Sequence, residues 1–520
     1  MMKSAISLLS KKFYDPLYDV ITLKSKEENG FKKGRSFWEN MSPRASTQET
    51  IINIIFDLLD TYEMNRLNFL RQSGLSFLFL PSATHTRFSH SLGTYYLGEQ
   101  ATARSWFKEN GKLMSLRSML IENGILDDFL VSLLLHDVGH FPFSHVLENN
   151  SCLYKMHIEE DNDPEVYFTH EDVACGLIDP SGDTEHHIFN SFRELLLSKA
   201  GGQGCLIDEN KFLHKKLSNY AEKEFLDLKI IKYLITGRDI YFNGIEARKQ
   251  KYVKMLKNLT SGLIDLDRMD HYRRDSLFMG VKLSNFSVLG LLDDVVLTMD
   301  GVMLREDGIT HAISLLHGKE SLVDGIFDDP INVAYEAMLN KAIEIYIDDK
   351  TSYKKDEVLG VLKSIIFLTD DELLNMLEND ENNTIKRLVF DIKNRTPFKQ
   401  LFRSPFECKN IKLETRKSVE TLKLTINEKL DGKEKDNLVF RIPKTFVKDK
   451  KFDTWLDLDK MHDTSGNKVG LTTNLAEIDY FKGKSLKKPK QFYVFYAPEL
   501  KQKNEELGNL IDDYVRNAKF

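Results

Sequence analysis

Residues 133–145 have the sequence LLLHDVGHFPFSH, in which an apolar helical run delivers His136 directly before Asp137. A glycine and a proline then end the helix, and two further histidines, His140 and His145, follow. Imidazole and carboxylate groups side by side suit a borderline divalent cation such as manganese, iron, nickel or zinc. The pattern therefore predicts a metal site at the end of a buried helix. The alternative is a capped helix end with incidental histidines.

The composition is that of a globular protein with a large core. Of the 520 residues, 42% are hydrophobic and 29% are charged, and no apolar run approaches the roughly 20 residues that a membrane helix needs. The four cysteines lack metal-binding spacing and indicate a reducing compartment. We therefore expect a cytoplasmic protein without membrane contact. The net charge of −7 argues against broad nucleic-acid coating, so local basic residues must bind any anionic ligand.

Hydrophobic periodicity predicts a mainly α fold, a helical core with a small C-terminal α+β subdomain. Helical spacing begins near residue 46 and recurs to about residue 403, with one helix expected near 63–73. Alternating segments then indicate strands at 411–426, 437–447 and 491–496, followed by a helix at 498–517. The predicted division has three parts: 1–45, a strand, turn and polar loop; 46–403, the helical catalytic core; and 404–520, the α+β subdomain.

Two other segments carry residues that could join a metal site. A helix that begins near Arg87 carries His90, which alone would more often be an ordinary core histidine. Residues 265–275 place Asp267 and other charged side chains at three- and four-residue spacing, so they share one helix face. Such a face could also be solvated.

The segment that begins at Thr169 has a second interpretation. Thr169 is a plausible N-cap, and Glu171 and Asp172 lie in the first helical turn, where carboxylates favour the positive helix end. Capping would therefore also explain His170 and Glu171 without a catalytic role.

Together the order H…HD…D resembles that of the HD-domain phosphohydrolase superfamily. The segments RQSGLSFLFLPSATHTRFSHSLG, HDVGHFPFSH and DLDRMDHYRRD, with the dipeptide His170-Glu171, are similar to its deoxynucleoside triphosphate (dNTP) triphosphohydrolase family. That family includes bacterial dGTPases and the vertebrate sterile-alpha-motif-and-HD-domain dNTPase, here without the SAM domain. The resemblance runs from about residue 15 to about residue 399.

The resemblance implies a metal-dependent release of inorganic triphosphate from a dNTP. A divalent ion (manganese, magnesium, iron, nickel or zinc) would be held by His90, His136, Asp137 and Asp267. It would act as a Lewis acid on the α-phosphate, which water attacks in line.

The resemblance also assigns the catalytic side chains. His145 and His170 resemble the general acid and phosphate-contacting histidines, and Glu171 would hold the His170 tautomer. His140 would contact phosphate or tune the site.

The implied substrate contacts come from several segments. Arg87, Arg268 and Lys319 would bind the triphosphate, Gln72 and Asp275 the sugar 3′-hydroxyl, and His271 and Phe327 would line the sugar. Where the vertebrate enzyme has a leucine after the glutamine, this chain has Ser73, so ribonucleotides stay open as substrates beside the expected deoxynucleotides.

A nucleotide-activated homo-oligomer (dimer, tetramer or hexamer) is a further expectation. Arg395 and Lys399 resemble a basic pair that binds an activating nucleotide between subunits, although Asn68 and Tyr14 depart from the other half of that site. Single-stranded nucleic acid is a further partner that the resemblance allows.

Two other functions fit the same residues. An HD phosphodiesterase or nuclease could act on cyclic nucleotides or nucleic-acid ends with the same metal core. A nucleotide-sensing regulator could retain a vestigial site, although all four metal residues are intact. Release of triphosphate from a dNTP separates these hypotheses.

Overall fold

The structure is a computed structural model that describes most of the chain. The described residues are 10–24, 45–149, 169–182, 188–201, 207–262, 265–281, 287–299, 301–305, 307–352, 355–406, 437–441, 454–457, 472–474, 490–498, 505–509 and a few single positions after 425.

The predicted mainly α fold is confirmed. The α-helices span Ala45–Leu59, Tyr62–Arg66, Arg87–Arg104, Leu116–Glu122, Leu126–Leu135, His170–Ile178, Ile188–Lys199, Leu213–Glu222, Leu228–Thr236, Asp239–Phe242, Ala247–Ser261, Leu266–Met279, Val288–Asp293, Gly308–Leu322, Pro330–Lys350, Lys355–Ile365, Asp370–Glu378 and Asn383–Lys393. Short 3-10 turns lie between these helices and span Leu67–Phe69, Gly74–Leu78, Ser144–Asn149, Pro180–Gly182 and Glu209–Lys211. A π-helical turn spans Val323–Phe327.

Three of these helices position the candidate site. The His90 helix (Arg87–Arg104) packs against both the HD helix (Leu126–Leu135) and the Asp267 helix (Leu266–Met279). Contact with the Asp267 helix depends on Gly93, where a Cβ would lie 2.1 Å from Asp270 Oδ1. The HD helix is apolar and almost wholly buried, so burial of its side chains fixes where His136 emerges.

Three sheets accompany the helices. The strands span Ser10–Asp15, Asp19–Lys24, Trp106–Glu109, Lys112–Ser115, Val295–Thr298, Gly301–Arg305, Lys399–Phe406, Leu438–Arg441, Thr454–Asp457, Thr472–Asn474 and Lys490–Tyr496. The first two form an antiparallel hairpin, the N-terminal hairpin. A six-stranded sheet joins the strands between residues 106 and 305 to those at 454–457 and 472–474, and the other three form a third sheet.

The N-terminal hairpin is attached to the Asp267 helix by buried polar contacts. Asp15 Oδ2 accepts a hydrogen bond from Arg274 Nη1 at 2.8 Å, and the Tyr18 hydroxyl donates to Asp270 Oδ1 at 2.9 Å. Arg274 also donates twice to Asp270. The hairpin confirms the predicted N-terminal strand and turn. These hydrogen bonds attach it to the Asp267 helix.

Several sequence predictions need correction. The helix expected near 63–73 is wrong, since the chain forms only Tyr62–Arg66, one 3-10 turn and an isolated bridge between Arg71 and Thr86. The strands between residues 106 and 305 were expected to be helical. Val295–Thr298 is almost entirely buried, so it lacks the alternation that reveals a half-exposed strand.

In the C-terminal part, the strands predicted at 437–447 and 491–496 are confirmed over Leu438–Arg441 and Lys490–Tyr496. Almost all of 411–426, and most of 498–517, lie outside the described residues. The division at 45/46 and 403/404 stays a prediction. Within the described part of the chain, no helix is long and apolar enough to cross a membrane.

Candidate active site

The loop after the HD helix folds back under close packing. A Cβ at Gly139 would lie 2.2 Å from the His170 carbonyl oxygen and 2.3 Å from Ala174 N, so glycine alone lets this loop meet the His170–Ile178 helix. That helix begins with a capping box between Thr169 and Asp172, as the N-cap prediction expected. The close approach brings His140 and His145 to His170.

The four predicted metal ligands converge from three helices. His90 Nε2 lies 3.2 Å from His136 Nε2 and 3.0 Å from Asp267 Oδ1. His136 Nε2 lies 3.6 Å from Asp137 Oδ1 and 3.7 Å from Asp267 Oδ1. We call these four residues the metal cluster.

The hydrogen bonds on the far side of each ring test whether this cluster fits a cation. His90 Nδ1 contacts Asp270 Oδ2 at 2.7 Å, and His136 Nδ1 contacts the Leu133 carbonyl oxygen at 2.9 Å. Both partners are acceptors, so each Nδ1 carries a proton and Nε2 is the nitrogen that each ring can offer to a cation. The two Nε2 atoms lie 3.2 Å apart beside carboxylate oxygens of Asp137 and Asp267, which is a donor set that a divalent ion prefers. The residues therefore fit a divalent ion.

Charge also favours a cation at the metal cluster. Arg87 Nη1 contacts Asp137 Oδ2 at 2.5 Å, with both side chains buried. Burial favours the protonated acid, but Arg87 and His136 outweigh it and hold the pKa of Asp137 well below its ordinary value. Asp137 is therefore an ionised ligand at neutral pH.

A second group of histidines adjoins the metal cluster. The ligand atoms of His140, His145 and His170 lie within 4.8 Å of one another, and the His140 and His170 rings stack with centroids 4.2 Å apart. Glu148 contacts two of them, His145 Nδ1 at 2.8 Å and His170 Nδ1 at 2.5 Å. We call these three histidines the proton cluster.

Glu148 corrects one sequence prediction. Glu171 was expected to hold the His170 tautomer, but the carboxylate in contact with His170 Nδ1 is that of Glu148. Glu148 is buried, which would raise its pKa, yet His170 and His145 hold that pKa well below its ordinary value. Glu171 still lines the cavity, one residue after His170.

The tautomer of His140 makes this ring a proton donor and not a metal ligand. The Phe141 backbone N–H donates to His140 Nδ1 at 3.0 Å, so the ring proton lies on Nε2. That Nε2 is buried and has no hydrogen-bond partner among the described residues. Burial and the nearby Arg87 lower the pKa of His140 well below its ordinary value, which leaves a neutral N–H donor. A donor facing a cavity beside a cation site suits an anion.

His170 contributes positive charge to the same place. Burial lowers its pKa, but Glu148 outweighs burial and raises the pKa of His170 to about 9. At neutral pH, His170 is therefore an imidazolium that can bind an anion or donate a proton.

Both clusters open into one cavity of about 360 Å³. Its lining brings together most of the predicted site, namely Gln72, Arg87, His90, His136, Asp137, His140, His145, His170, Glu171, Asp267, Arg268, His271 and Phe327. Two predicted substrate residues are not part of the lining formed by the described residues. Asp275 is fully buried behind His271, and Lys319 is half-buried near the end of the Gly308–Leu322 helix.

Sequence reasoning gave no role to two side chains that contact site histidines. Glu148 follows His145 by three residues, and Asp270 follows Asp267 by three. Helical spacing from a predicted site residue is the signal that could have assigned them.

The predicted activator pair lies in another place. Arg395 and Lys399 are exposed and line a separate cavity of about 590 Å³ with Arg387, Phe398 and Phe495. This second cavity shares no lining residue with the first.

Comparison with known proteins begins with structure. A crystal structure of a phosphohydrolase from Bacteroides thetaiotaomicron matches the fold with a TM-score of 0.57 at 20% identity, covering 94% of this chain and 100% of that chain. The chain therefore shares the helical fold of that crystal structure. No family model matches the chain.

Sequence comparison adds two relatives. The chain is 23% identical over 364 residues to the deoxynucleoside triphosphate triphosphohydrolase SAMHD1 of Bos taurus, covering 66% of this chain and 55% of the relative. It is also 23% identical over 330 residues to a putative HD domain-containing protein of Acanthamoeba polyphaga mimivirus, covering 62% and 61%. The chain spans about half the length of the curated relatives it matches. These relationships support the HD phosphohydrolase family and a hydrolase, without selecting one member.

Proposed function

We propose that this protein is a metal-dependent dNTP triphosphohydrolase that releases inorganic triphosphate and a deoxynucleoside. One observation carries the proposal: the metal cluster and the proton cluster face one cavity, so a cation and several N–H donors meet there. A triphosphate is an anion that needs both. The similarity to a dNTP triphosphohydrolase supports this substrate class.

The proposed chemistry divides between the two clusters. A divalent ion held by His90, His136, Asp137 and Asp267 would supply Lewis acidity and lower the pKa of a water molecule. His140 donates its Nε2 proton in a hydrogen bond to a phosphate oxygen, and the His170 imidazolium neutralises phosphate charge.

We assign the role of general acid to His145. Its Nδ1 is held by Glu148, and 52% of its side chain is exposed, so its Nε2 can reach a ligand. Water attacks the α-phosphorus and loses a proton to solvent as the bond to the 5′-oxygen breaks, and that oxygen takes a proton from His145 as the deoxynucleoside leaves.

The remaining lining residues are proposed as substrate contacts. Arg87 and Arg268 bind the triphosphate, and Gln72 contacts the sugar. Phe327 lies next to His271, with ring centroids 5.9 Å apart, and offers an apolar surface to the far end of the ligand.

Activation by a nucleotide is proposed for the second cavity. Arg395 and Lys399 present two positive charges at its edge, where a nucleotide bridging two subunits of a homo-oligomer would bind. Light scattering with and without each nucleotide tests this proposal. An oligomer that never changes contradicts assembly driven by a nucleotide.

A product-resolved screen tests the function. All eight common nucleoside triphosphates are incubated with manganese, each with and without a second nucleotide, and the products are separated by ion-exchange chromatography. We expect triphosphate from the deoxynucleotides. Diphosphate or monophosphate as the product, or cleavage of cyclic nucleotides alone, contradicts the proposal and favours an HD phosphodiesterase. Equal turnover of ATP and dATP contradicts the deoxy preference.

A further inference from the structure

The loop that follows the HD helix has a strained backbone just before His145. Phe143 and Ser144 are both buried and have φ angles of +54° and +62°, a left-handed conformation that residues other than glycine rarely adopt. Backbone strain of this kind is unfavourable and persists only where the surrounding structure fixes it. Contacts from other parts of the chain must therefore hold this loop.

Asp370 supplies one of these contacts. Its side chain is fully buried, and its Oδ1 accepts a hydrogen bond from the Phe143 backbone N–H at 2.7 Å. Its Oδ2 accepts one from the Arg71 backbone N–H at 2.8 Å. Burial raises the pKa of Asp370 to about 6, although the two N–H groups oppose that rise, so the carboxylate is ionised at neutral pH. Asp370 therefore links the loop to the segment that leads into Gln72.

Asp370 opens the Asp370–Glu378 helix, but its carboxylate does not cap that helix. Thr369 and Glu372 form the capping box there. Both oxygens of Asp370 instead accept backbone N–H groups that lie 227 and 299 residues away in the chain. What this buried carboxylate contributes is therefore the link between two distant segments.

Arg66 attaches the start of the same loop to the same part of the chain. Its Nη1 donates to the His140 carbonyl oxygen at 2.8 Å. The other nitrogens of this buried guanidinium donate to three carbonyl oxygens at residues 366–368. The loop is therefore fixed to the segment 366–370 at His140 and again at Phe143.

The direction of His145 depends on this backbone. His145 follows Ser144 directly and lines the cavity. Rotation of φ at Phe143 or Ser144 to the ordinary negative region would turn the His145 ring away from His140 and His170, because both rotations lie between those rings in the chain. The strained conformation therefore keeps the three rings together.

We propose that Asp370 is a positioning residue that links Phe143 to Arg71, holds the loop in its left-handed conformation and so gathers the proton cluster around an anion. The inference rests on the proposed function for the class of anion, a triphosphate. Asp370 is not among the residues that line the cavity, so it acts on a ligand only through the loop.

Calorimetry with inorganic tripolyphosphate tests the proposal by binding alone. The full-length wild type and Asp370→Ala are titrated in EDTA, so that the proton cluster and the arginines beside it bind the anion without a metal. Alanine removes both acceptor oxygens, and we expect the affinity to fall about tenfold, the value of one good hydrogen bond. Manganese affinity, measured separately without EDTA, should stay that of the wild type, because the metal cluster is built on three other helices. An unchanged affinity for tripolyphosphate overturns the inference.

Asp128→Ala is the matched control for lost stability. Asp128 is also buried and accepts a backbone N–H, that of Asp227, at 2.7 Å, but neither residue lines the cavity. This variant should have a lower melting temperature and an unchanged affinity for tripolyphosphate. Equal weakening of binding in both alanine variants overturns the inference, because lost stability alone would then explain it.

Asp370→Asn separates positioning from packing. The amide keeps the shape of the side chain and one acceptor oxygen, but its NH2 group faces a backbone N–H, so the link between Phe143 and Arg71 is broken at one end. We expect an affinity about threefold below that of the wild type, between those of the wild type and Asp370→Ala. If Asp370→Ala does not fold, Asp370→Asn is measured in its place, and an unchanged affinity overturns the inference.

The binding experiment and the product screen fail separately. Weaker tripolyphosphate binding in Asp370→Ala supports the inference even if the screen finds no hydrolysis of dNTPs, which would contradict the proposed function alone. Failure of the wild type to bind tripolyphosphate overturns the inference, while release of triphosphate in the screen would still support the proposed function.

Discussion

The metal cluster and the proton cluster lie in one cavity and are both rich in histidine, yet they offer opposite chemistry. In the metal cluster, Asp270 and a backbone carbonyl occupy Nδ1 of His90 and His136, so each Nε2 is left to meet a cation beside the carboxylates of Asp137 and Asp267. In the proton cluster, a backbone N–H occupies Nδ1 of His140, so a proton faces the cavity.

This comparison teaches that short distances between ligand atoms do not by themselves define a metal site, since each group of ligand atoms lies within 4.8 Å. The partner of His140 separates the two groups, because a ring nitrogen that carries a proton cannot coordinate a metal. The metal cluster also adds the carboxylates of Asp137 and Asp267 beside its imidazoles. The metal cluster therefore suits a cation, and the proton cluster suits the anion that the cation attracts.

Removal of the metal cluster should have the largest effect. His136→Ala together with Asp137→Ala removes two of four ligands, and we expect activity to fall at least about 1,000-fold, since a bound metal contributes several kcal/mol to catalysis. Metal content by mass spectrometry should fall to background, while circular dichroism stays that of the wild type. The matched control, His140→Ala with His145→Ala, should lose activity but keep its metal. Loss of metal in the control contradicts the division between the clusters.

Glu148→Gln tests the proton cluster and should have the second largest effect. The amide cannot hold both His145 and His170 as the carboxylate does, so kcat should fall about 100-fold, the usual value of general acid catalysis. Metal affinity should stay unchanged. Glu171→Gln is the control, because Glu171 lines the same cavity without contacting His170 Nδ1. A larger loss in the control than in Glu148→Gln contradicts the assignment of Glu148.

The pH dependence of kcat should also report the contact between Glu148 and His170, with a smaller effect than the substitution has on kcat itself. Glu148 raises the pKa of His170 from 6.5 to about 9, so the alkaline limb of kcat should lie near pH 9 and move towards acid in Glu148→Gln. A raised pKa stabilises the folded state fully below about pH 6.5, and this stabilisation is lost as pH rises through about 9. Urea unfolding between pH 6 and pH 10 should show that loss in the wild type and a weaker one in Glu148→Gln. Identical profiles contradict the role of Glu148.

His136 and Asp137 could be predicted from sequence because they are adjacent at the end of an apolar, buried helix. His90 and Asp267 were selected as ligands by the resemblance to the phosphohydrolase family, since neither residue stands out in its own helix. The side chains behind the ligands could not be predicted in the same way. Glu148 meets His170 across 22 residues and His85 meets Asp275 across 190, and such contacts depend on packing that local patterns do not encode.

The same limit applies to the fold. Long helices such as Ala45–Leu59 and Pro330–Lys350 lie within the range that was predicted to be helical. The strand Val295–Thr298 was missed because a short strand buried on both faces shows no alternation. Its pairing with Trp106–Glu109 joins strands that are far apart in sequence, so it can be seen only in the folded structure.

Removal of the activator pair should have the smallest effect and leaves both clusters intact. Arg395 has a φ of +58°, which asparagine tolerates better than most residues, so Arg395→Asn with Lys399→Gln removes two charges and keeps the backbone. We expect unchanged activity without a second nucleotide and an activation constant raised about tenfold, because two phosphate contacts are lost. Lys386→Gln with Lys393→Gln is the control, since it removes the same charge from residues that do not line this cavity. An equal shift in both variants would show that net charge, and not this cavity, governs activation.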